Sequence, residues 1–363
     1  MLDSSMFITG LGTATPPQRY TQQECWDALQ AAPQFSQLAL RSRAILKKVL
    51  RGDNGIESRH LALDPLAEAL DLRPDVLHAR FAKHAPQLCA EAAGRALLEA
   101  KLNAADIGAI LISTCTGYLC PGLTSYVSER LGLRTDALML DLVGQGCGAA
   151  LPNLRTAEAL LSAGRAEHVL SICVEVCSAA MYLDDDPGVL ISACLFGDAA
   201  GAAVLSQRAN TSGRTVRWKA AGSVLDSSAR ELIRFQQKDG MLRNVLTPEV
   251  PALAARHAHG VFSRVLADAK VEREQITGWI WHAGGRDVLR ALRAQFQLGE
   301  DDVRWSAAVL RELGNVSSPF VYHVLQRALA GGAAGGLWWM SSFGAGFSCH
   351  GGLLEVGDVV RGA

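Results

Sequence analysis

The 363-residue chain has no surplus of either charge: 35 Lys plus Arg stand against 36 Asp plus Glu, a net charge of -1. A dedicated nucleic-acid binder normally carries a basic excess, so that class is set aside. Long apolar runs are missing too. No segment reaches the roughly 18 uninterrupted apolar residues of a membrane-spanning helix, so no integral membrane segment is expected. Met1-Leu2-Asp3-Ser4-Ser5 shows neither a basic start nor an apolar run, so no secretory leader is expected. The nine cysteines include no Cys-x-x-Cys pair, which argues against a zinc site. Their odd number and lack of a repeated framework point to reduced thiols in a cytoplasmic protein. The glycines of Phe7-Ile8-Thr9-Gly10-Leu11-Gly12-Thr13 do not match the dinucleotide fingerprint. No linker divides the chain, since the polar stretch 207–215 is short.

What is present is a globular composition, with 49% hydrophobic residues, 20% charged residues and 35 glycines. The chain is long enough for a large composite core. Its organising stretch is Val143-Gly144-Gln145-Gly146-Cys147-Gly148-Ala149-Ala150. An apolar run from Ala137 to Val143 enters it as a strand. A helical pattern through Leu154, Ala157, Leu160 and Leu161 leaves it. Cys147 therefore belongs at a strand-to-helix turn, where glycines permit a sharp bend and a helix N-terminus favours thiolate. The structural alternative is a small buried hydrophobe at a tight turn. Pro152 predicts a kink or a loosened first turn in the helix that follows.

From Ala85 onward helices and strands alternate, and the second half repeats the order of the first. Predicted strands run from Ile107 to Ser113, His168 to Val176, Gly201 to Ser206, Thr277 to His282 and Leu337 to Ser342. Thr114 and Cys147 are 33 residues apart, as are His282 and Asn315. Cys147 and His168 are 21 apart, as are Asn315 and Gly336, so a shift of 168 superimposes the two halves. Such duplication implies two βαβ-rich lobes, 1–210 and 211–363, forming one composite α/β fold. If the lobes meet about a pseudo-twofold, Cys147, His282 and Asn315 converge. Alone, His282 reads as a packed core residue and Asn315 as a cap or turn residue. Together with a cysteine they suit acyl transfer with carbon–carbon bond formation. Sulfur holds the acyl group, and imidazole and carboxamide donate hydrogen bonds to an enolate oxygen. That chemistry requires no metal or redox cofactor.

With these residues in place the chain resembles the type III polyketide synthases, the chalcone- and stilbene-synthase-like enzymes with the thiolase fold. The resemblance rests on Gln145-Gly146-Cys147, on Ala193-Cys194-Leu195-Phe196-Gly197-Asp198, on His282 with its two following glycines and on Gly314-Asn315-Val316-Ser317-Ser318. It runs from about Phe7 to Val356 and implies a layered αβαβα arrangement. It makes Cys147 the nucleophile, gives His282 and Asn315 to malonyl-CoA decarboxylation, and matches Phe196 to the gatekeeper. Cys115, Cys177, Ala180, Gly240 and Ser317 match cavity-lining positions, and Cys120 a residue that reaches across a homodimer interface. Lys47, Lys48 and Arg51 lie near the family's CoA-binding basic residues, in a segment (residues 41–51) that otherwise reads as a solvated face. Ala283 stands where the family has proline, and Ser342-Phe343-Gly344-Ala345-Gly346 also lacks one, which bears on cavity shape more than on the reaction.

The motif set is similar to that of bacterial members making alkylpyrones or alkylresorcinols from fatty acyl-CoA and malonyl-CoA. The rivals are a single-step ketoacyl-acyl carrier protein synthase, a cysteine hydrolase using the same three residue types, and a catalytically silent scaffold.

Overall fold

The computed structural model describes residues 6–210 and 213–357. In chain order the strands are β1 (Met6–Ala14), β2 (Arg19–Thr21), β3 (Ser58–His60), β4 (Ala109–Ser113), β5 (Leu138–Leu142), β6 (His168–Glu175), β7 (Ala199–Ser206), β8 (Val216–Leu225), β9 (Ile233–Lys238), β10 (Met241–Leu246), β11 (Ile276–Trp281), β12 (Gly336–Gly344) and β13 (Ser348–Val356). The α-helices are α1 (Gln22–Ala31), α2 (Pro33–Gln37), α3 (Leu40–Arg51), α4 (Pro74–Ala100), α5 (Leu123–Leu131), α6 (Ala150–Ser162), α7 (Pro187–Leu195), α8 (Val250–Ala269), α9 (Arg286–Phe296), α10 (Arg304–Leu313) and α11 (Phe320–Ala330). None of the described helices is long and apolar enough to cross a membrane.

Nine strands form one mixed sheet in the order β11-β12-β13-β8-β1-β7-β6-β4-β5. Read outward from the β1–β8 junction, the two sides mirror each other. On one side β1–β7 and β7–β6 are antiparallel and β6–β4 parallel; on the other β8–β13 and β13–β12 are antiparallel and β12–β11 parallel. At the junction itself, among the described residues, Met6↔Trp218 and Phe7↔Arg217 are in register.

The equivalent helices α6 and α11 lie between the two halves of the sheet. α6 packs on β4, β6 and β7 and also on β12 and β13, while α11 packs on β1 and β7 and also on β11 and β12. α11 is buried almost all round, from Phe320 to Leu325 and at Ala328, whereas α6 buries one broad face through Leu151, Leu154, Ala157 and Leu161 and leaves Arg155 and Ala159 exposed. Helices α4 and α5 cover the outer face of the first half, and α8 with α9 covers that of the second, giving the five layers α, β, α, β, α. The second outer layer is closed by Trp279, Trp281, Trp339, Phe262 and Phe296, whose rings meet at centroid separations of 4.9–5.8 Å. Fully burying each such ring stabilises the fold by about 1.5–3 kcal/mol.

The shift of 168 places β4 on β11, β6 on β12 and α6 on α11, but it fails at β5. Residues 306–310, the counterparts of β5, lie in α10, so the second half has a helix where the first has an edge strand. The expected kink or loosened first turn at Pro152 has a simple setting. Pro152 is the third residue of α6, where a backbone N–H would have no intrahelical partner to lose. The irregularity sits just before it, in a 3₁₀ turn over Gly146–Gly148.

Candidate active site

The turn carrying Cys147 is shaped by what presses on it. Gly146 takes φ = 56°, in the left-handed region, and a Cβ there would lie 3.0 Å from the backbone nitrogen of Ala345. Ser342 Oγ donates to the carbonyl of Gly148 at 2.9 Å, so the β12–β13 loop braces the turn from the second half. Cys147 is thereby held, buried, three residues before α6.

His282 directly follows β11 and extends its ladder, its N–H donating to Ser341 O at 2.9 Å. The ring is buried edge-on against Phe320, with centroids 5.4 Å apart; neither nitrogen makes a hydrogen bond of regular geometry, but the Asn315 carboxamide lies close enough to act on it. Asn315 is fixed by its backbone, which donates to Leu195 O at 2.9 Å and accepts from Gly197 N at 3.0 Å. Its Nδ2 donates to Gly284 O at 3.2 Å and its Oδ1 accepts from Ser317 N at 2.8 Å. A Cβ at position 284 would lie 3.8 Å from His282 Cε1 and 3.9 Å from Asn315 Nδ2, so both groups border one small space. Ser317, at φ = 58°, holds a strained left-handed conformation that aims its Oγ at Cys147 Sγ, 3.1 Å away. A continuous run of contacts thus joins Cys147, Ser317, Asn315 and His282, from turns in both halves of the duplication.

Burial dominates the electrostatics. It pushes the Cys147 thiol up to about 12, against a smaller opposing effect of the Ser317 hydrogen bond. It also pulls His282 down to about 4, with the Asn315 carboxamide working against it. The closed pocket therefore holds a neutral thiol and a neutral imidazole, and the thiolate expected from the helix N-terminus is outweighed by desolvation. For this sulfur to act as a nucleophile, its proton would have to leave as it attacks. Because Ser317 donates to sulfur, Ser317→Ala removes support for the charged form. The variant is expected to alkylate with iodoacetamide more slowly at neutral pH and to have its rate–pH profile moved upward; an unmoved profile would sink the role of that hydrogen bond.

Beneath the cysteine lies Glu175, a residue the sequence did not single out. It is fully buried at the end of β6 and accepts from Ser318 Oγ at 2.6 Å, Thr116 Oγ1 at 2.9 Å and Cys115 N at 3.0 Å; Ser317 Oγ, whose single proton serves either this carboxylate or the closer Cys147 Sγ, lies 3.3 Å away. Burial raises its pKa despite these donors. A charged residue closing an apolar strand gives no periodic signal, so only its spatial neighbours reveal it.

The other residues expected at the site separate into three groups. Phe196, Cys177, Ala180 and Ser317 line an inner chamber of about 30 Å³, room for about two waters. Cys115 and Gly240 line an outer cleft of about 600 Å³ that reaches the cysteine turn at Gly146. Thr116 and Phe235 border both spaces, which makes them continuous neighbours. Cys120 is exposed and lines neither. Lys47, Lys48 and Arg51 lie on the exposed face of α3, away from both linings. Among the described residues no group of three His, Cys, Asp or Glu side chains is placed to hold a metal ion.

Comparison with known proteins agrees with this geometry. The family model described as FAE1/Type III polyketide synthase-like protein matches residues 14–228, and that of the chalcone and stilbene synthase C-terminal domain matches residues 220–355. A 3,5-dihydroxyphenylacetyl-CoA synthase of Streptomyces toyocaensis is 29% identical over 335 residues, covering 90% of this chain and 83% of that one. The alpha-pyrone synthesis polyketide synthase-like protein Pks18 of Mycobacterium tuberculosis is 26% identical over 368 residues, covering 96% and 91%. The crystal structure of PKS-I from the brown alga Ectocarpus siliculosus superposes with a TM-score of 0.86 at 26% identity, over 97% of this chain and 98% of that one. With two family models spanning its length and this fold around a buried cysteine, the chain belongs to the type III polyketide synthases, the chalcone- and stilbene-synthase-like acyltransferases.

Proposed function

We propose that the enzyme loads a fatty acyl group from acyl-CoA onto Cys147, extends it repeatedly with malonyl-CoA, and releases an alkylpyrone or alkylresorcinol. In the loading step the thiol proton passes toward His282 as sulfur attacks the thioester carbonyl, and the CoA thiolate leaves with a proton. Malonyl-CoA then loses carbon dioxide. The electron pair of the broken bond forms an enolate, whose oxygen takes hydrogen bonds from His282 and Asn315. The enolate carbon attacks the acyl carbonyl, sulfur is expelled, and the lengthened β-keto thioester can reload. Every atom and electron is accounted for by these substrates without a redox cofactor.

The observation that carries the fatty starter is the pairing of the two spaces. The inner chamber is too small for a growing chain, whereas the 600 Å³ cleft beside Cys115 lies within the usual range of ligand sites. Its walls include Leu77, Phe81, Phe235, Met241 and Leu242, which suit an alkyl chain. The name of the Mycobacterium tuberculosis relative favours lactone closure, hence a pyrone, of the two rings. Lys47, Lys48 and Arg51 suit the phosphates of CoA, because no ion pair occupies them among the described residues. The exposed edge strand β5, with Leu138, Met139 and Val143, suits a homodimer contact near Cys120. Incubating purified protein with malonyl-CoA and acyl-CoAs of graded length, then weighing the products, tests this reading. Triketide or tetraketide products that favour long starters are expected, from a particle near twice 38.7 kDa. Products built only from short or malonyl-derived starters, or a monomeric active enzyme, would overturn the corresponding part.

A further inference from the structure

We propose that Arg59 is a positioning residue that keeps the Phe196 gate and the Asn315 carboxamide in register, and so governs chain extension rather than starter loading. The inference rests on the polyketide reading above and adds a residue outside the reacting pocket. Arg59 lies at the centre of the short strand β3 and is 3% exposed. Its Nε donates to Gln22 Oε1 at 3.1 Å, and its Nη1 donates to both Ala193 O and Phe196 O at 2.9 Å. Gln22 in turn donates from Nε2 to Cys194 O at 3.0 Å. The two side chains together take the carbonyls of 193, 194 and 196 where α7 ends. A helix C-terminus carries partial negative charge and unpaired carbonyls, so a guanidinium is well matched to it.

The other side of Arg59 touches the second half of the duplication. Gly314 has φ = 69°, and a Cβ there would lie 2.9 Å from Arg59 Cγ and 2.6 Å from Leu195 O. The arginine stem and the end of α7 therefore share the space that glycine leaves open. One residue later, Asn315 bonds to both Leu195 and Gly197, making Phe196 and Asn315 an isolated parallel bridge. Arg59 thus fixes gate and oxyanion donor as one unit. Cys147 stands on a different element, braced by the β12–β13 loop and Ser317, and makes no contact with Arg59.

A shifted guanidinium should move the unit relative to the cysteine. Loading needs sulfur and an incoming thioester; decarboxylation needs the Asn315 N–H in place. Geometry errors near 1 Å cost on the order of 10²-fold in reference systems.

The test uses Arg59→Lys, which keeps the charge but cannot fork between Gln22 and two carbonyls, and Gln22→Leu, which leaves the guanidinium with one acceptor fewer. For Arg59→Lys, acylation of Cys147 by acyl-CoA, followed by intact-protein mass, is expected near the wild-type rate. Its malonyl-CoA decarboxylation kcat should fall about tenfold or more with little change in KM, and its products should carry fewer extensions. Gln22→Leu should shift in the same direction by less, and it carries the test alone if Arg59→Lys does not fold. Equal losses of loading and decarboxylation, or unchanged decarboxylation in the folded variants, overturn the assignment. Wild-type protein that takes no acyl group on Cys147 overturns the polyketide reading beneath it and the inference with it.

Discussion

Cys147→Ala is expected to abolish acyl loading while malonyl-CoA decarboxylation continues in part. The expectation follows from the way the site is divided between the halves. The sulfur belongs to the turn before α6, whereas His282 and Asn315 are fixed by β11–β12 and by the Phe196–Asn315 bridge. Removing one small buried atom group leaves those supports in place. Cys115, on the wall of the cleft, is a poor substitute, because desolvation and the neighbouring Glu175 both raise its thiol pKa. The loss in product formation should be on the order of 10⁴-fold or more, as for other covalent nucleophiles. Intact-protein mass after incubation with acyl-CoA and release of labelled carbon dioxide from malonyl-CoA read the two steps separately. An acyl adduct of wild-type yield on the variant would refute the nucleophile.

The opposite division is expected at Asn315 and His282. Asn315→Ala should lower decarboxylation by about 10²–10³-fold, equivalent to about 2.7–4 kcal/mol for one lost oxyanion donor. Its loading step should suffer far less, since its remaining task is to accept from Ser317 N and keep that serine aimed at sulfur. His282→Ala should damage both steps, because in the proposed mechanism the same ring receives the thiol proton and donates to the enolate. The pH dependence follows from a pKa lowered to about 4 by burial. The charged imidazolium is populated only below that value, so the neutral ring is the working donor at and above pH 5.5. Decarboxylation in the Cys147→Ala background should therefore be flat between pH 5.5 and 7. A fall across that window with a midpoint near the ordinary histidine value would show that the imidazolium, not the imidazole, does the work. Undiminished carbon dioxide release from Asn315→Ala would remove the carboxamide from the mechanism.

The three central residues were legible because duplication turns spacing into geometry. A shift of 168 marks equivalent strand ends and turns, and α6 and α11 do place the Cys147 and Asn315 turns between the same two half-sheets. The shift could not reveal that residues 306–310 had become helix, because their apolar positions fit a strand or a helix face equally well. The strands β8, β9, β10 and β13 escaped detection, since glycines, charges and mixed exposure blur a period of two. Glu175 and Arg59 escaped for a different reason. Each is a charged residue in or beside a short buried strand, and its partners come from residues far away in sequence, which no local pattern encodes. The thiol is subject to a further effect of the same kind: the helix N-terminus is visible in the sequence, but the burial that raises the thiol pKa against it is not.

The edge strand β5 has a practical side. It ends the large sheet with an unpaired backbone flank, and Leu138 and Met139 on it and Val143 just after it are exposed. Left open to solvent, that flank can pair with any passing strand, so the uncovered edge itself favours association. If the proposed homodimer covers this flank, substitutions designed to split it should yield sediment before they yield monomers, unless they also place a lysine on the flank itself.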